Sequence, residues 1–168
     1  ENEGVAQMGR VFLSAGHGGL ESGRRDPGTS AGGTTEAQEM ILLRDLVVSE
    51  LLARKIEVLS VPDDLSEAQT IEWINARGRA GDIALELHAN AGSSSTVRGA
   101  TAYYVGNNQE RKDNTNRLLS ALQQRVPQLP NRGAKPDTET GNGRLLFCRT
   151  VAIASALLEV GFLTNPDD

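Results

Sequence analysis

His17 and His88 are the only two histidines in the 168-residue chain, and each stands at the end of a stretch that reads as a β-strand. In RVFLSAGHGG, residues 10–19, Val11, Phe12 and Leu13 form a short apolar run that Gly16, Gly18 and Gly19 break around His17. Glycine on both sides leaves the imidazole uncrowded and lets backbone or ligand approach closely. In DIALELHAN, residues 82–90, Ile83, Leu85 and Leu87 alternate with Ala84, Glu86 and His88. That period of two points Glu86 and His88 the same way. Parallel strands end side by side, and open α/β sheets hold ligands beyond their carboxyl ends. Both rings can therefore reach one point. Two imidazoles, one carboxylate and an open fourth position form a catalytic zinc set. Such chemistry also needs a carboxylate free of the metal, to take a proton from water and pass it to a leaving group. Glu36, Glu86 and Glu159 are the acidic candidates, and spacing alone does not rank them.

Each candidate also has a plain structural reading. His17 reads equally as an ordinary loop histidine. Glu36 falls in the first turn of a predicted helix, where a carboxylate favours the positive end of the dipole. Glu159 is the only charged residue between Arg149 and Asp167. A lone carboxylate in an apolar run needs a partner, such as an arginine, or else a raised pKa that would suit a general base. The short motif with two histidines four apart on a helix is absent. Competing chemistries are weaker. Ser94 and Ser95 lack a nucleophile elbow, Cys148 has no histidine near it in sequence, and no GxxxxGK[ST] phosphate loop exists. A buried, inert thiol is the expectation for Cys148.

The elements that must position these groups follow from periodicity. Residues 18–33 read as a long Gly-rich loop. A helix is predicted over 35–54, opened by Thr35 with Gln38 three residues on, with Ala37, Met40, Ile41, Val47, Val48, Leu51 and Leu52 on one face. A strand at 56–61 follows, then a helix opened by Ser66 and Gln69 that ends near Gly78. The strands at 82–90 and 99–105 precede a helix over 108–126, a polar loop at 127–143 and a short buried segment at 145–147. The last element spans 151–164, and Asn165-Pro166 reads as the cap of a further helix.

Composition sets outer limits. The length suits one domain with its own core. Hydrophobic residues at 38% and charged residues at 23% are those of a globular protein, and no apolar run is long enough to span a bilayer. A net charge of -5 without any basic block argues against nucleic acid or an anionic membrane as partner. Aromatics at 4% leave no platform for stacking bases or sugars. One cysteine excludes an internal disulfide and a multi-thiolate zinc site. Residues 1–9 read as a linker remnant, and 10–168 as one domain whose C-terminal helix is cut short.

Several stretches carry a resemblance when read in order: SAGHGG at 14–19, DPG at 26–28, Glu36 opening the first long helix, LHANA at 87–91, RGATAYYV at 98–105 and LLEVGFLTN at 157–165. Together they resemble the zinc-dependent N-acetylmuramoyl-L-alanine amidases, the bacterial cell-wall amidases with a type 3 catalytic domain. The resemblance covers nearly the whole chain. It implies an α/β fold: a single-domain, mixed, mostly parallel sheet flanked by helices on both faces. It implies Zn2+ held by His17, Glu36 and His88, with Glu159 as the catalytic glutamate. The implied reaction is hydrolysis of the amide between N-acetylmuramic acid and L-alanine of peptidoglycan stem peptides. Peptidoglycan is the expected partner, the cell envelope (periplasmic or extracellular) the expected location, and a monomer the expected state, with targeting domains outside this chain. A non-catalytic peptidoglycan-binding module and a zinc peptidase cutting within stem peptides are the alternatives.

Three features depart from the family pattern. Residues 20–25 lengthen the loop between GHGG and DPG. Glu86 replaces the usual small polar residue two positions before the second histidine, and is a candidate outer partner of the site. Only Gly106 and Asn107 separate the 99–105 strand from the next helix, which leaves no room for the helix that plugs the zinc site in some relatives; an open site is expected.

Overall fold

A computed structural model describes residues 9–141 and 143–168. Residues 1–8 of the expected linker lie outside the described residues. The strands are β1 (Val11–Ala15), β2 (Leu20–Glu21), β3 (Arg24–Arg25), β4 (Ser30–Ala31), β5 (Thr34–Thr35), β6 (Val58–Ser60), β7 (Ile83–Asn90), β8 (Ala100–Tyr104), β9 (Asn131–Pro136) and β10 (Ala154–Phe162). The helices are α1 (Glu36–Ala53), α2 (Glu67–Asn75), α3 (Gln109–Arg125) and α4 (Leu146–Thr150). Six strands form one sheet in the order β6-β1-β7-β10-β8-β9. All neighbours pair in parallel except β10 and β8, which run antiparallel. The sheet is thus mixed and mostly parallel, as the resemblance implied.

Alternation along the strands separates two cores. On one face Leu13, Leu87, Ala89, Ala102 and Leu158 pack with Met40 of α1 and Leu119 of α3. On the other, Phe12 and Ala84 pack with Ile71 and Ile74 of α2 and Phe147 of α4. Helices therefore cover both faces. Phe12 is fully buried there with an edge-to-face contact to Trp73, ring centroids 6.0 Å apart. Phe12→Ala is expected to lower unfolding free energy by about 3–5 kcal/mol, measured by urea titration, since the cavity left between sheet and α2 cannot fully collapse.

Helix starts follow local chemistry. The Thr35 hydroxyl accepts from the Gln38 N–H at 3.2 Å and starts α1. Ser66 and Gln69 make the full reciprocal capping box at α2. The expected core face of α1 needs one correction: Leu52 is 57% exposed, while Arg44 is buried. Arg44 donates to the Val61 carbonyl and pairs with Asp63, so a cation takes a place that periodicity alone would give to an apolar residue. Below the sheet, Arg10 pairs with Asp82 at 2.7 Å, and its guanidinium holds the Asp82 carboxyl down at about 2.

Two stretches read as loops contain strands. Residues 18–35 fold into two small hairpins, β2–β3 and β4–β5, the second using Thr34 and Thr35 just before α1. In 127–143, β9 pairs in parallel with β8, with Ala102 beside Ala134 and Tyr104 beside Pro136. Gly133 and Pro136 hide this strand in the sequence. At a sheet edge one ladder suffices, so a proline at the strand end costs little. In the segment at 145–147, Leu145 precedes α4 and the helix buries Phe147 but leaves Leu146 exposed. Asn165 accepts from the Asp167 N–H at 2.8 Å in a turn that follows β10.

Candidate metal centre

The sheet register assembles the site. Ser14 lies beside Glu86 across β1 and β7, and Glu159 lies beside His88 across β10 and β7. Strand alternation puts all four on the face that, nearer the strand starts, is apolar with Phe12 and Ala84. Toward the carboxyl ends of the strands this face turns polar. There α1 begins, and Glu36 enters from its first turn.

His17 sits just past β1 with φ +66°, followed by Gly18 at φ +85°. A non-glycine residue held in this left-handed region costs roughly 1–2 kcal/mol. Strain of this kind marks positions where direction matters more than local ease. Gly16 lets the second ring in: a Cβ there would fall 2.4 Å from Cε1 of His88. The two imidazoles meet edge to face, with ring centroids 5.1 Å apart.

Glu36 bridges them. Its Oε2 lies 3.2 Å from His17 Nε2, and its Oε1 lies 2.9 Å from His88 Nδ1. The same oxygens accept backbone N–H groups from Thr29 at 3.0 Å and Ala89 at 3.1 Å. Each histidine is held from behind by a second carboxylate. His17 Nδ1 donates to Asp26 Oδ2 at 2.6 Å, and His88 Nε2 donates to Glu86 Oε1 at 2.9 Å. Asp26 is itself fixed by the Gly28 N–H at 2.9 Å.

Charge follows from these contacts. Burial alone would lower both histidines, but Glu36 together with Asp26 for His17, and with Glu86 for His88, outweighs it. His88 is pushed up to about 10. Burial would raise Glu36, yet hydrogen bonds from both rings hold it well below the ordinary carboxylate range. Burial raises Glu159, which Glu36 also pushes up and His88 opposes. Burial pushes the Cys148 thiol up to about 12, which fits the expected inert cysteine.

The donor set fits a zinc ion. One ligand atom each from His17, Glu36 and His88 lies within 4.8 Å of the others. Nitrogen and carboxylate oxygen are zinc donors, and three protein ligands leave a position open. With each outer ring nitrogen committed to a carboxylate, the inner nitrogens point at Glu36, where a cation would take the place of two protons. Glu159 supplies an independent sign: its Oε2 is buried with no hydrogen-bond partner among the described residues. The arginine that would make Glu159 a structural carboxylate is not bound to that oxygen.

His17, Glu36, His88 and Glu159 all line one cleft of about 570 Å³, with Glu21, Glu67 and Glu86 on its walls. No inserted helix lies between β8 and α3, so the cleft stays open among the described residues. The long 18–33 segment forms part of its rim. Glu21 of β2 accepts from the Glu67 N–H at 2.7 Å and ties the hairpin to the start of α2. Asp26, Ser14 and Gly28 were not legible as site residues. Asp26 sits nine positions from His17 and reaches it only because the hairpin folds back, with Asp26 N–H donating to the Gly19 carbonyl at 2.9 Å.

Comparisons with known proteins identify the family and the fold. The family described as N-acetylmuramoyl-L-alanine amidase matches residues 11–168. A probable cell wall amidase, LytH, of Staphylococcus saprophyticus is 28% identical over 160 residues, covering 94% of this chain and 49% of that protein. LytH of Staphylococcus aureus is 28% identical over 159 residues, with the same 94% and 49% coverage. The chain thus spans about half the length of the curated relatives it matches. Among solved structures, an N-acetylmuramoyl-L-alanine amidase from Clostridium difficile 630 superposes with a TM-score of 0.80 at 22% identity, covering 95% of this chain and 82% of that one. The CwlD amidase of Clostridioides difficile, in complex with the GerS lipoprotein, gives 0.75 at 22% identity, covering 94% and 84%. These two likenesses establish the fold.

Proposed function

The chain belongs to the N-acetylmuramoyl-L-alanine amidase family, and from that premise we propose that it is a zinc hydrolase of peptidoglycan. The bond cleaved is the amide joining N-acetylmuramic acid to L-alanine of the stem peptide. One observation supports this reading above others: three zinc donors converge beside a buried carboxylate oxygen that has no partner.

His17, Glu36 and His88 would hold the ion. Bound there, zinc supplies Lewis-acid polarisation of an amide carbonyl. The chain's own groups supply the rest. Glu159 lines the cleft, has a buried oxygen with no hydrogen-bond partner among the described residues, and has a pKa raised by burial. In that setting it takes the proton from the attacking water and returns it to the alanine nitrogen as the amide breaks. Asp26 fixes which nitrogen of His17 faces inward, and Glu36 is kept ionised by its hydrogen bonds. The open cleft admits a polymer without a plug having to leave.

Residues 10–168 act in this reading as one catalytic unit and as a monomer. No helix among the described residues is long and apolar enough to cross a membrane. The substrate places the enzyme in the bacterial envelope, in the periplasm or outside the cell.

The test is incubation of the zinc-loaded protein with purified peptidoglycan, with and without a chelator. Chelator-sensitive release of stem peptides whose free amino terminus is L-alanine is the expected result. Peptides cut internally would assign a zinc peptidase. Binding without any release would assign a non-catalytic wall-binding module.

A further inference from the structure

Glu86 is buried at 7% exposure, inside a site that already contains Glu36 and Glu159. A buried carboxylate is costly unless its oxygens are satisfied and its charge has a use. Both oxygens are satisfied. Oε1 accepts from His88 Nε2 at 2.9 Å, and Oε2 accepts from the Ser14 hydroxyl at 3.1 Å. The register that sets Ser14 beside Glu86 and the alternation that sets Glu86 beside His88 fix this chain of contacts.

Glu86 is not among the converging donors: among the described residues, the group that could hold an ion is His17, Glu36 and His88. The His88 ring stands between the Glu86 carboxylate on Nε2 and Glu36 on Nδ1. Gly16 closes on Cε1, between those two nitrogens. The ring is therefore gripped at three points around its edge.

We infer that Glu86 is the positioning residue of the metal centre, holding His88 by its outer nitrogen so that Nδ1 is presented to the ion. The inference rests on the metal-centre reading above. It makes the two histidines equivalent in construction, His17 held by Asp26 and His88 by Glu86. A carboxylate behind an imidazole fixes ring orientation and strengthens its donor nitrogen, and losing such a partner costs about 10- to 100-fold in metal affinity. Glu86 arises from the strand itself, whereas Asp26 is delivered by the hairpin. The two supports are built independently.

The experiment measures zinc affinity by competition with a chromophoric chelator, for the native protein, Glu86→Gln, Glu86→Ser and Glu86→Ala, with circular dichroism to confirm folding. The Nε2–H proton of His88 is followed by NMR in each zinc-loaded protein. Glu86→Ala and Glu86→Ser are expected to bind zinc roughly 10- to 100-fold more weakly and to lose the exchange-protected Nε2–H signal. Glu86→Gln keeps an acceptor oxygen and is expected to retain the signal, with a smaller loss of affinity. Should Glu86→Ala fail to fold, the serine variant decides the matter, because its side chain is polar but too short to reach the ring. Native-like affinity, or an unchanged Nε2–H signal, in a folded serine or alanine variant overturns the role. Absence of zinc binding by the native protein overturns the metal centre and the Glu86 role together.

Discussion

Glu159→Gln is expected to reduce kcat on peptidoglycan by about 10²- to 10⁴-fold while zinc stays bound at one per chain. The substitution keeps size and shape but removes the ability to carry a proton. Glu159 lies beside His88 across β10 and β7, and its Oε2 is buried without a partner. No hydrogen bond is lost at that oxygen, so folding should be spared. Zinc stoichiometry should be spared as well, because Glu159 stands outside the set His17, Glu36 and His88. Turnover is measured by peptide release, and metal content by atomic absorption on the same sample. Near-native turnover in the zinc-loaded variant would remove Glu159 from the reaction. Loss of zinc along with activity would make it a ligand instead.

Gly16→Ala should weaken zinc binding by about 10- to 100-fold, because it displaces a donor, and should lower unfolding free energy by about 1–3 kcal/mol through overpacking. The added Cβ would lie 2.4 Å from Cε1 and 2.5 Å from Nε2 of His88, far inside contact distance. The ring cannot slide away freely, since Glu36 and Glu86 hold its two nitrogens. The backbone at Gly16 lies outside the left-handed region, so alanine is compatible with it. The entropy gain from alanine is at most about 1 kcal/mol, so the crowding against the ring decides the sign of the stability change. Chelator competition and a melting curve on the same variant measure the two. Unchanged zinc affinity would show that the ring adapts, and that the glycine serves the turn alone.

Much of the architecture was legible because it rests on local rules. The period-two pattern of 82–90 gave a strand with Glu86 and His88 on one side, and the Ser66 capping box gave α2. The glycines around His17 announced a close approach, and Gly16 makes one against the other histidine. Less was legible where pairing partners come from far along the chain. The segment at 131–136 is a strand only because β8 offers it an edge, and Arg44 is buried only because the Val61 carbonyl and Asp63 meet it.

The sequence by itself determined the strands β1, β6, β7 and β8, the starts of α1, α2 and α3, the two histidines at strand ends and the family pattern that singles out Glu36 and Glu159. Those are matters of period, capping and motif order, each confined to a few adjacent residues. The tertiary structure decided what surrounds each carboxylate. Glu36, Glu86 and Glu159 are chemically identical in the sequence, and they differ only in what surrounds them: Glu36 between two imidazoles, Glu86 behind one of them, Glu159 with an oxygen bound to nothing. Distance and burial set the charge and task of a carboxylate, and both arise when β1, β7, β10 and the start of α1 come together.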